Sequence, residues 1–180
     1  MAYDLFFGTE TDANWARGPS IQPLPLDFTP TERKVLKLLE PSTASFAVNL
    51  VGWARQKGIP ARLSHTAIYS PEDVEKNYNK GRSSIAPDRL SWHSVGRAFH
   101  LVINRPDGSL DKDAYARVGA YARTQGGDWL GDKPIKTTKG IIYDTAHYEY
   151  HPGIDIANYR KSPIALREYD QAQKRAKRYA

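Results

Sequence analysis

The chain has 180 residues, of which 40% are hydrophobic and 26% are charged, and its formal net charge is +6. This composition argues against wholesale disorder, and the length suits one domain, which we predict to span residues 1–180. There is no cysteine, which excludes disulfides, thiolate metal sites and a cysteine nucleophile. A metal would therefore have to be held by His, Asp or Glu.

Residues 1–28 are rich in turn formers and proline, and they are predicted to form an extended arm on the domain. They begin MAYDLFFGTETD, without a basic region followed by a long apolar run, so we expect no signal peptide. No apolar stretch approaches the length of a transmembrane helix. We therefore expect the protein to be synthesised in the cytoplasm in soluble form.

Helix signals recur along the chain. Thr29 and Glu32 form a capping-box pattern, and Ser70 precedes Pro71 as an N-cap residue. Gly58 terminates an earlier apolar stripe. The predicted helices cover residues 29–40, 42–57, 70–81, 113–125 and the segment from 162 onward.

Strand character is found in the segments IPARLSHTAI, AFHLVIN and GIIYD, and HYEY continues the extended structure. In AFHLVIN, His100 shares one face with Ala98 and Val102. Helices and strands are mixed without strict alternation, which predicts the α+β class. We expect a small antiparallel sheet flanked by helices.

A local argument brings three of the five histidines together. His93 precedes Gly96 at the entrance to the strand that holds His100, and a turn at Gly96 would direct both imidazoles to one spot. His147 lies three residues after Asp144. Three neutral imidazoles and a water form a zinc site with an open position, and a neighbouring carboxylate can act as general base. The alternative is that these are unrelated, packed histidines.

Four segments resemble those of a known enzyme family. SWHSVGRAFHLVI resembles the Ser-x-His-x-x-Gly-x-Ala-x-Asp segment of the zinc D-Ala-D-Ala carboxypeptidases and L-alanyl-D-glutamate endopeptidases, bacterial and phage enzymes of the Hedgehog/DD-peptidase fold. YDTAHYEYHP resembles their second motif, Asp/Glu-x-x-His-aromatic-Glu. SPEDVEKNYNKGRSS and AYARTQGGDWLG resemble the helix and loop before the first motif and a Gly-Gly-x-Trp turn. The resemblance covers roughly residues 59–152, in the family's order.

The resemblance implies a set of metal-site roles. His93 and His147 are implied to be zinc ligands, and Asp144 the base that takes a proton from the attacking water and passes it to the leaving amine. Glu149 is implied to hold the site by accepting a hydrogen bond from a ligating histidine. His100 stands where the family has an aspartate ligand. Because histidine also binds zinc, we predict a three-histidine site that is one charge more positive.

The resemblance also implies a substrate cleft, with Ser91 and the loop of Arg82 at its rim. Tyr69 stands where the family usually has an arginine that polarises the scissile carbonyl. A tyrosine can donate one hydrogen bond to the substrate but supplies no charge. Arg82 or Arg97 could supply that charge instead.

The C-terminal segment 160–180 is predicted to be a strongly basic helix. We favour a helix that docks on the domain through a stripe of alanine and tyrosine at positions 165, 169, 172, 176 and 179. Contact with an anionic cell-envelope polymer or lipid is a functional alternative. Nucleic acid is a weaker one, because no nucleic-acid-binding motif accompanies the charge.

Together these features predict a zinc-dependent peptidase that hydrolyses peptidoglycan stem peptides as an L-Ala-D-Glu endopeptidase or a D-Ala-D-Ala carboxypeptidase. We expect a monomer of the bacteriophage endolysin type, which reaches the cell wall after release from the cytoplasm. One alternative is a catalytically degenerate, metal-bearing domain that binds the cell wall or serves as a virion structural part. The other is a basic nucleic-acid-binding protein.

Overall fold

The computed structural model describes residues 27–65, 68–86 and 90–179. The predicted N-terminal arm, residues 1–28, therefore lies almost entirely outside the described residues, as does the start of the chain on which the expectation about a signal peptide depends. In the described ranges, no helix has the length and apolar character needed to cross a membrane.

The helices begin where the sequence supplies caps. Thr29 and Glu32 cap the first helix reciprocally, and Ser70 caps the third in the same way. The second helix starts earlier than predicted, because Glu40 accepts from the Thr43 amide at its N-terminus. The bounds are α1 Pro30–Leu38, α2 Pro41–Gln56, α3 Pro71–Asn79, α4 Lys112–Thr124, α5 Ile156–Tyr159 and α6 Pro163–Tyr179, with a 3₁₀ turn at His93–Val95.

The strands confirm the α+β prediction with a small antiparallel sheet. A four-stranded sheet has the order β1-β2-β6-β3, and β4 and β5 form a separate hairpin. The first strand is much shorter than the predicted segment, and β3 and β4 were not predicted. The bounds are β1 Arg62–Leu63, β2 Ala98–Val102, β3 Asp128–Trp129, β4 Ile135–Thr137, β5 Gly140–Ile142 and β6 His147–Glu149.

Alternation along β2 separates the core from the site. Phe99 and Leu101 are completely buried and pack with Phe46 and Leu50 of α2. Burial of each of these side chains is worth roughly 1.5–3 kcal/mol. Because successive side chains of a strand point to opposite faces, His100 faces away from this core, as predicted.

The C-terminal helix docks on the domain, which confirms the favoured prediction. Ala165 and Ala172 are fully buried against it. Arg97 donates from Nε and Nη2 to Glu168 at 2.8 Å each, and Arg175 donates to a carbonyl at the end of α1. Two charged side chains of this helix, Glu168 and Arg175, therefore stabilise the fold.

Candidate metal centre

A left-handed glycine turn brings the first two histidines together. Gly96 follows the 3₁₀ turn with φ +77°, and a Cβ there would lie 3.0 Å from the Glu40 amide nitrogen. A side chain is thus disfavoured both by the backbone conformation and by this contact. The chain reverses into β2, and the ring centroids of His93 and His100 lie 4.6 Å apart, as the glycine led us to expect.

The register of two strands adds the third histidine. His100 and His147 are direct cross-strand partners in the antiparallel pair of β2 and β6, which places their side chains on one face. Nδ1 of His147 lies 3.3 Å from Nε2 of His93 and 3.3 Å from Nε2 of His100. Three ring nitrogens from two separate parts of the chain thus converge on one point.

The geometry of this group fits a zinc ion. Zinc–imidazole bonds of about 2.0–2.1 Å in a tetrahedral site place neighbouring nitrogens about 3.3–3.4 Å apart, and the two separations of 3.3 Å match this value. His93 and His147 are 3% and 8% exposed. Lone pairs that face each other at such distances need a proton or a cation between them. The three histidines could therefore hold a metal ion.

Glu149 lies behind His147 and fixes its ring. Glu149 Oε1 is 2.9 Å from Nε2 of His147, and Oε2 is 3.1 Å from Nε2 of His151. Burial alone would raise the pKa of Glu149, but the hydrogen bonds and charges of the two histidines lower it to about 2. An ionised Glu149 accepts the Nε2 proton of His147, which leaves Nδ1 with a lone pair toward the other histidines.

Asp144 lies beside the same nitrogens. Its Oδ2 is 3.5 Å from Nε2 of His100 and 3.7 Å from Nδ1 of His147. Its side chain is 32% exposed, toward the cleft that it lines. Burial alone would raise the pKa of Asp144, but the hydrogen bond and charge of His100 and the charge of His147 lower it below its usual value. The carboxylate is thus ionised at neutral pH and able to accept a proton.

The histidines line a cleft of about 720 Å³ that Tyr69, Arg82 and Ser91 also line. The ring of Tyr69 stacks on His93 with centroids 4.3 Å apart. Ser91 Oγ accepts from the Ser94 amide at 3.2 Å, which caps the turn that carries His93. Arg82 is exposed. The residues predicted to contact substrate thus face the same cavity as the histidines.

Arg97 does not reach this cleft, and the suggestion that it could replace the family's arginine is wrong. Its guanidinium is held by Glu168 at 2.8 Å and lies 3.7 Å from Glu40. Two carboxylates and burial of the side chain hold this charge in place, and Arg97 is not among the residues that line the cleft. Of Arg82 and Arg97, only Arg82 lines the cleft.

His151 follows the segment YDTAHYEY directly, and from the sequence a structural role is expected for it in preference to contact with the metal region. With Asp128 and Glu149, His151 forms a second group whose ligand atoms lie close enough to hold a metal ion. The spacing of two residues between Glu149 and His151 was the available signal, since i and i+2 share a face in extended chain. His65, which falls on the polar side of the predicted strand IPARLSHTAI, is exposed.

No family model matches the chain, and no curated protein matches it. Among solved structures it is similar to the LdcB LD-carboxypeptidase, whose structure is described as revealing the molecular basis of peptidoglycan recognition, with 22% identity over 67% of this chain and 74% of that chain and a TM-score of 0.47. It is also similar to DacB from Streptococcus pneumoniae D39, with 22% identity, 74% and 77% coverage and a TM-score of 0.45. A structure of an L,D-carboxypeptidase DacB from the same species gives 21% identity, 75% and 79% coverage and a TM-score of 0.43.

Proposed function

We propose that the protein is a zinc-dependent peptidase that hydrolyses the stem peptides of peptidoglycan. The observation that carries this proposal is the convergence of three histidine nitrogens, two of them 3.3 Å from Nδ1 of His147, with the Asp144 carboxylate 3.5 Å from His100, inside an open cleft. The resemblance of both histidine segments to those of zinc D-Ala-D-Ala carboxypeptidases and L-alanyl-D-glutamate endopeptidases supplies the substrate class.

His93, His100 and His147 would hold the zinc. When bound, zinc supplies Lewis-acid chemistry, which increases the acidity of a water and polarises a carbonyl. All three ligands are neutral imidazoles, so the ligand set adds no negative charge of its own. On the side of the cleft, the Asp144 carboxylate would therefore be the main negative charge that compensates the charge of the zinc ion. The positive charge of the zinc ion would in turn keep this carboxylate ionised and directed at the reacting groups.

Asp144 would move the protons. Its Oδ2 accepts a proton from the water that attacks the scissile carbonyl, and the same oxygen then donates that proton to the nitrogen of the leaving amine. A C–O bond forms and the C–N bond breaks, which yields one carboxylate and one amine. The partial exposure of Asp144 to the cleft allows both contacts.

Tyr69, Ser91 and Arg82 would bind the peptide. Burial and the charges of Asp144 and Asp73 raise the pKa of Tyr69 to about 12, so its hydroxyl stays protonated and can donate a hydrogen bond to a substrate carbonyl. Arg82 offers a positive charge near the exposed rim, which suits the carboxylates of a stem peptide.

The exposed basic face of α6 would contact an anionic polymer or lipid of the cell envelope. Arg167, Lys174, Lys177 and Arg178 are all exposed there, while the opposite face of the helix is buried. A monomer of the endolysin type, acting on the wall after release, would use this charge to remain near its substrate.

Hydrolysis of purified peptidoglycan tests the proposal. The zinc-loaded protein is expected to release new amino termini, and mass spectrometry of the fragments identifies the bond cut. Asp144→Asn keeps the size of the side chain but removes the base, so the rate should fall by about 100-fold or more with the zinc content unchanged. Equal release by Asp144→Asn, or none by the zinc-loaded wild type, would contradict the peptidase.

One observation favours a second function, a metal-bearing domain that binds the wall without cutting it. Tyr69 stacks on His93 at 4.3 Å and occupies the position at which the family usually has arginine, while Arg97 is held elsewhere. Sedimentation with peptidoglycan that depends on His93 but releases no amino termini would support this function over the peptidase.

A further inference from the structure

The two buried histidines of the proposed metal site, His93 and His147, belong to two separate chain segments. These segments also make a second contact with each other, outside the group of three histidines. His93 lies in the 3₁₀ turn and His147 in β6, 54 positions apart in sequence. Trp92, directly before His93, stacks on the ring of His151 with centroids 4.3 Å apart and an interplanar angle of 12°. His151 lies just beyond β6 on the other segment.

Glu149 connects this stacked pair to the ligand. One carboxylate oxygen accepts from His147 at 2.9 Å and the other accepts from His151 at 3.1 Å. Both oxygens are thus engaged, and the carboxylate has one orientation in which it can serve both rings. If His151 were absent, Oε2 would lose this partner and the carboxylate could rotate away from His147.

The packing around Trp92 fixes the ring on which His151 stacks. Its side chain is buried, 8% exposed, and its ring also lies against Tyr159 with centroids 5.0 Å apart. His151 is therefore held between a fixed aromatic face and a fixed carboxylate. Movement of His151 would disturb the turn of His93 through Trp92 and the ring of His147 through Glu149.

We propose that His151 is a positioning residue of the metal centre, which holds both buried ligands through Trp92 on one side and Glu149 on the other. The inference rests on the proposed function to the extent that it takes the three histidines to be a metal site. It adds a residue outside the ligand set and assigns it two separable contacts, a ring stack and a hydrogen bond.

A second ion held by Asp128, Glu149 and His151 is the rival explanation of these contacts. Asp128 Oδ1 is already paired with Lys133 at 2.6 Å, and its Oδ2 is 3.9 Å from Nε2 of His151. The hydrogen bond between Glu149 and His151 satisfies both groups without an ion. The contacts of His151 are therefore explained by a positioning role, without a second metal ion.

Two variants separate the contacts of His151. His151→Phe keeps a ring to stack on Trp92 but removes the hydrogen bond, and His151→Gln keeps a donor for Glu149 but removes the ring. Asp128→Asn is the control. Three measurements are made on each protein: zinc affinity by competition with a chromophoric chelator, the visible spectrum of the cobalt-substituted protein, and the melting temperature of the metal-free protein.

We expect His151→Phe to weaken zinc binding by about 10–100-fold, the range for loss of a supporting partner, and to change the cobalt spectrum. His151→Gln, which keeps the hydrogen bond but loses the ring stack, should lose less affinity than His151→Phe does, Asp128→Asn should bind as the wild type does, and every metal-free variant should stay folded. Wild-type affinity and spectrum in both His151 variants would overturn the positioning role and leave the zinc site standing.

Three other results would also overturn it. Two zinc ions in the wild type, one of them lost in Asp128→Asn, would establish the second ion instead. Weak zinc binding that follows a collapse of the metal-free melting temperature in both His151 variants would establish a purely structural role. No zinc binding by the wild type would remove the metal site itself, and the proposed function with it.

Discussion

Two polar clusters flank the turn at Gly96, and they differ in how their polar groups are paired. In one, the Glu168 carboxylate accepts from Arg97 at 2.8 Å and from the Tyr159 hydroxyl at 2.6 Å, so opposite charges meet directly. In the other, Nδ1 of His147 lies 3.3 Å from Nε2 of His93 and of His100, and the Asp144 carboxylate lies 3.5 Å from Nε2 of His100. The first cluster pairs opposite charges, whereas the second gathers imidazole nitrogens that could hold a cation.

This difference separates stability from function. A satisfied ion pair that links α6 to the start of β2 holds the fold, and its loss leaves the buried charge of Arg97 with the more distant Glu40 carboxylate at 3.7 Å. A group of converging lone pairs contributes little to folding until an ion binds. Mutations in the ion-paired cluster should therefore mainly lower the stability of the protein. Mutations in the histidine cluster should mainly lower its affinity for the metal.

Glu168→Ala should have the largest effect on stability. It leaves the guanidinium of Arg97, whose side chain is 10% exposed, without its closest partner, and removal of one member of a buried pair costs about 3–5 kcal/mol. Urea unfolding of the metal-free protein measures this loss. Glu168→Gln, which keeps a hydrogen-bond acceptor, should lose less. A change below about 1 kcal/mol, the range of an exposed pair, would contradict the assigned role.

His93→Ala should produce the opposite pattern. Zinc affinity should fall by more than about 100-fold, beyond what loss of a supporting partner costs, while the metal-free protein loses less stability than Glu168→Ala does. Isothermal titration and urea unfolding measure the two quantities. His65→Ala, at an exposed histidine, is the control and should bind zinc normally. Equal zinc affinity in both variants would show that His93 is not a ligand.

Gly96→Ala tests the turn that lies between the clusters. A non-glycine residue in the left-handed region costs roughly 1–2 kcal/mol, and here the new Cβ would also meet the Glu40 amide at 3.0 Å. Gly58 has φ +73° with nothing within 4 Å of its added Cβ, so Gly58→Ala is a matched control for the backbone cost alone. Gly96→Ala should lose more stability and should also lose zinc affinity, and similar losses in the two variants would contradict the role of the turn.

The ion-paired cluster should also give a modest loss of stability in acid. Burial alone would raise the pKa of Glu168, but the hydrogen bonds of Arg97 and Tyr159 lower it. A carboxyl whose pKa is lowered by folding stabilises the protein above its unfolded value of about 4.3, and that contribution is lost as the pH falls through the folded value.

The free energy of unfolding should therefore decrease below about pH 4.3, and Glu168→Gln should flatten this decrease. Chemical unfolding between neutral and acidic pH measures the slope. Glu75→Gln, at an exposed residue of α3, should leave the slope as it is. An unchanged slope in Glu168→Gln would show that the pair does not control acid stability.

The sequence predicted those parts of the molecule that depend on local rules. The capping box at Thr29, the N-cap at Ser70 and the faces of β2 follow from neighbouring residues. The convergence of His93 with His100 follows from one glycine. The two-residue strand β3 exists only through its pairing with β6, and no local pattern of that length identifies a strand.

The partners of charged residues were the harder part to predict. The placement of Arg97 depends on Glu168, 71 positions away, so its burial could not be read from its own segment. The contact of Trp92 with His151 likewise joins two segments that meet only in the folded chain.

Zinc content of the purified protein, measured beside His100→Asp and His100→Ala, determines whether the three histidines hold a metal ion. We expect one zinc ion per wild-type chain, retention of zinc by His100→Asp because a carboxylate is also a zinc ligand, and its loss from His100→Ala under the same dialysis. His100→Ala that keeps zinc as firmly as the wild type would contradict the three-histidine metal centre.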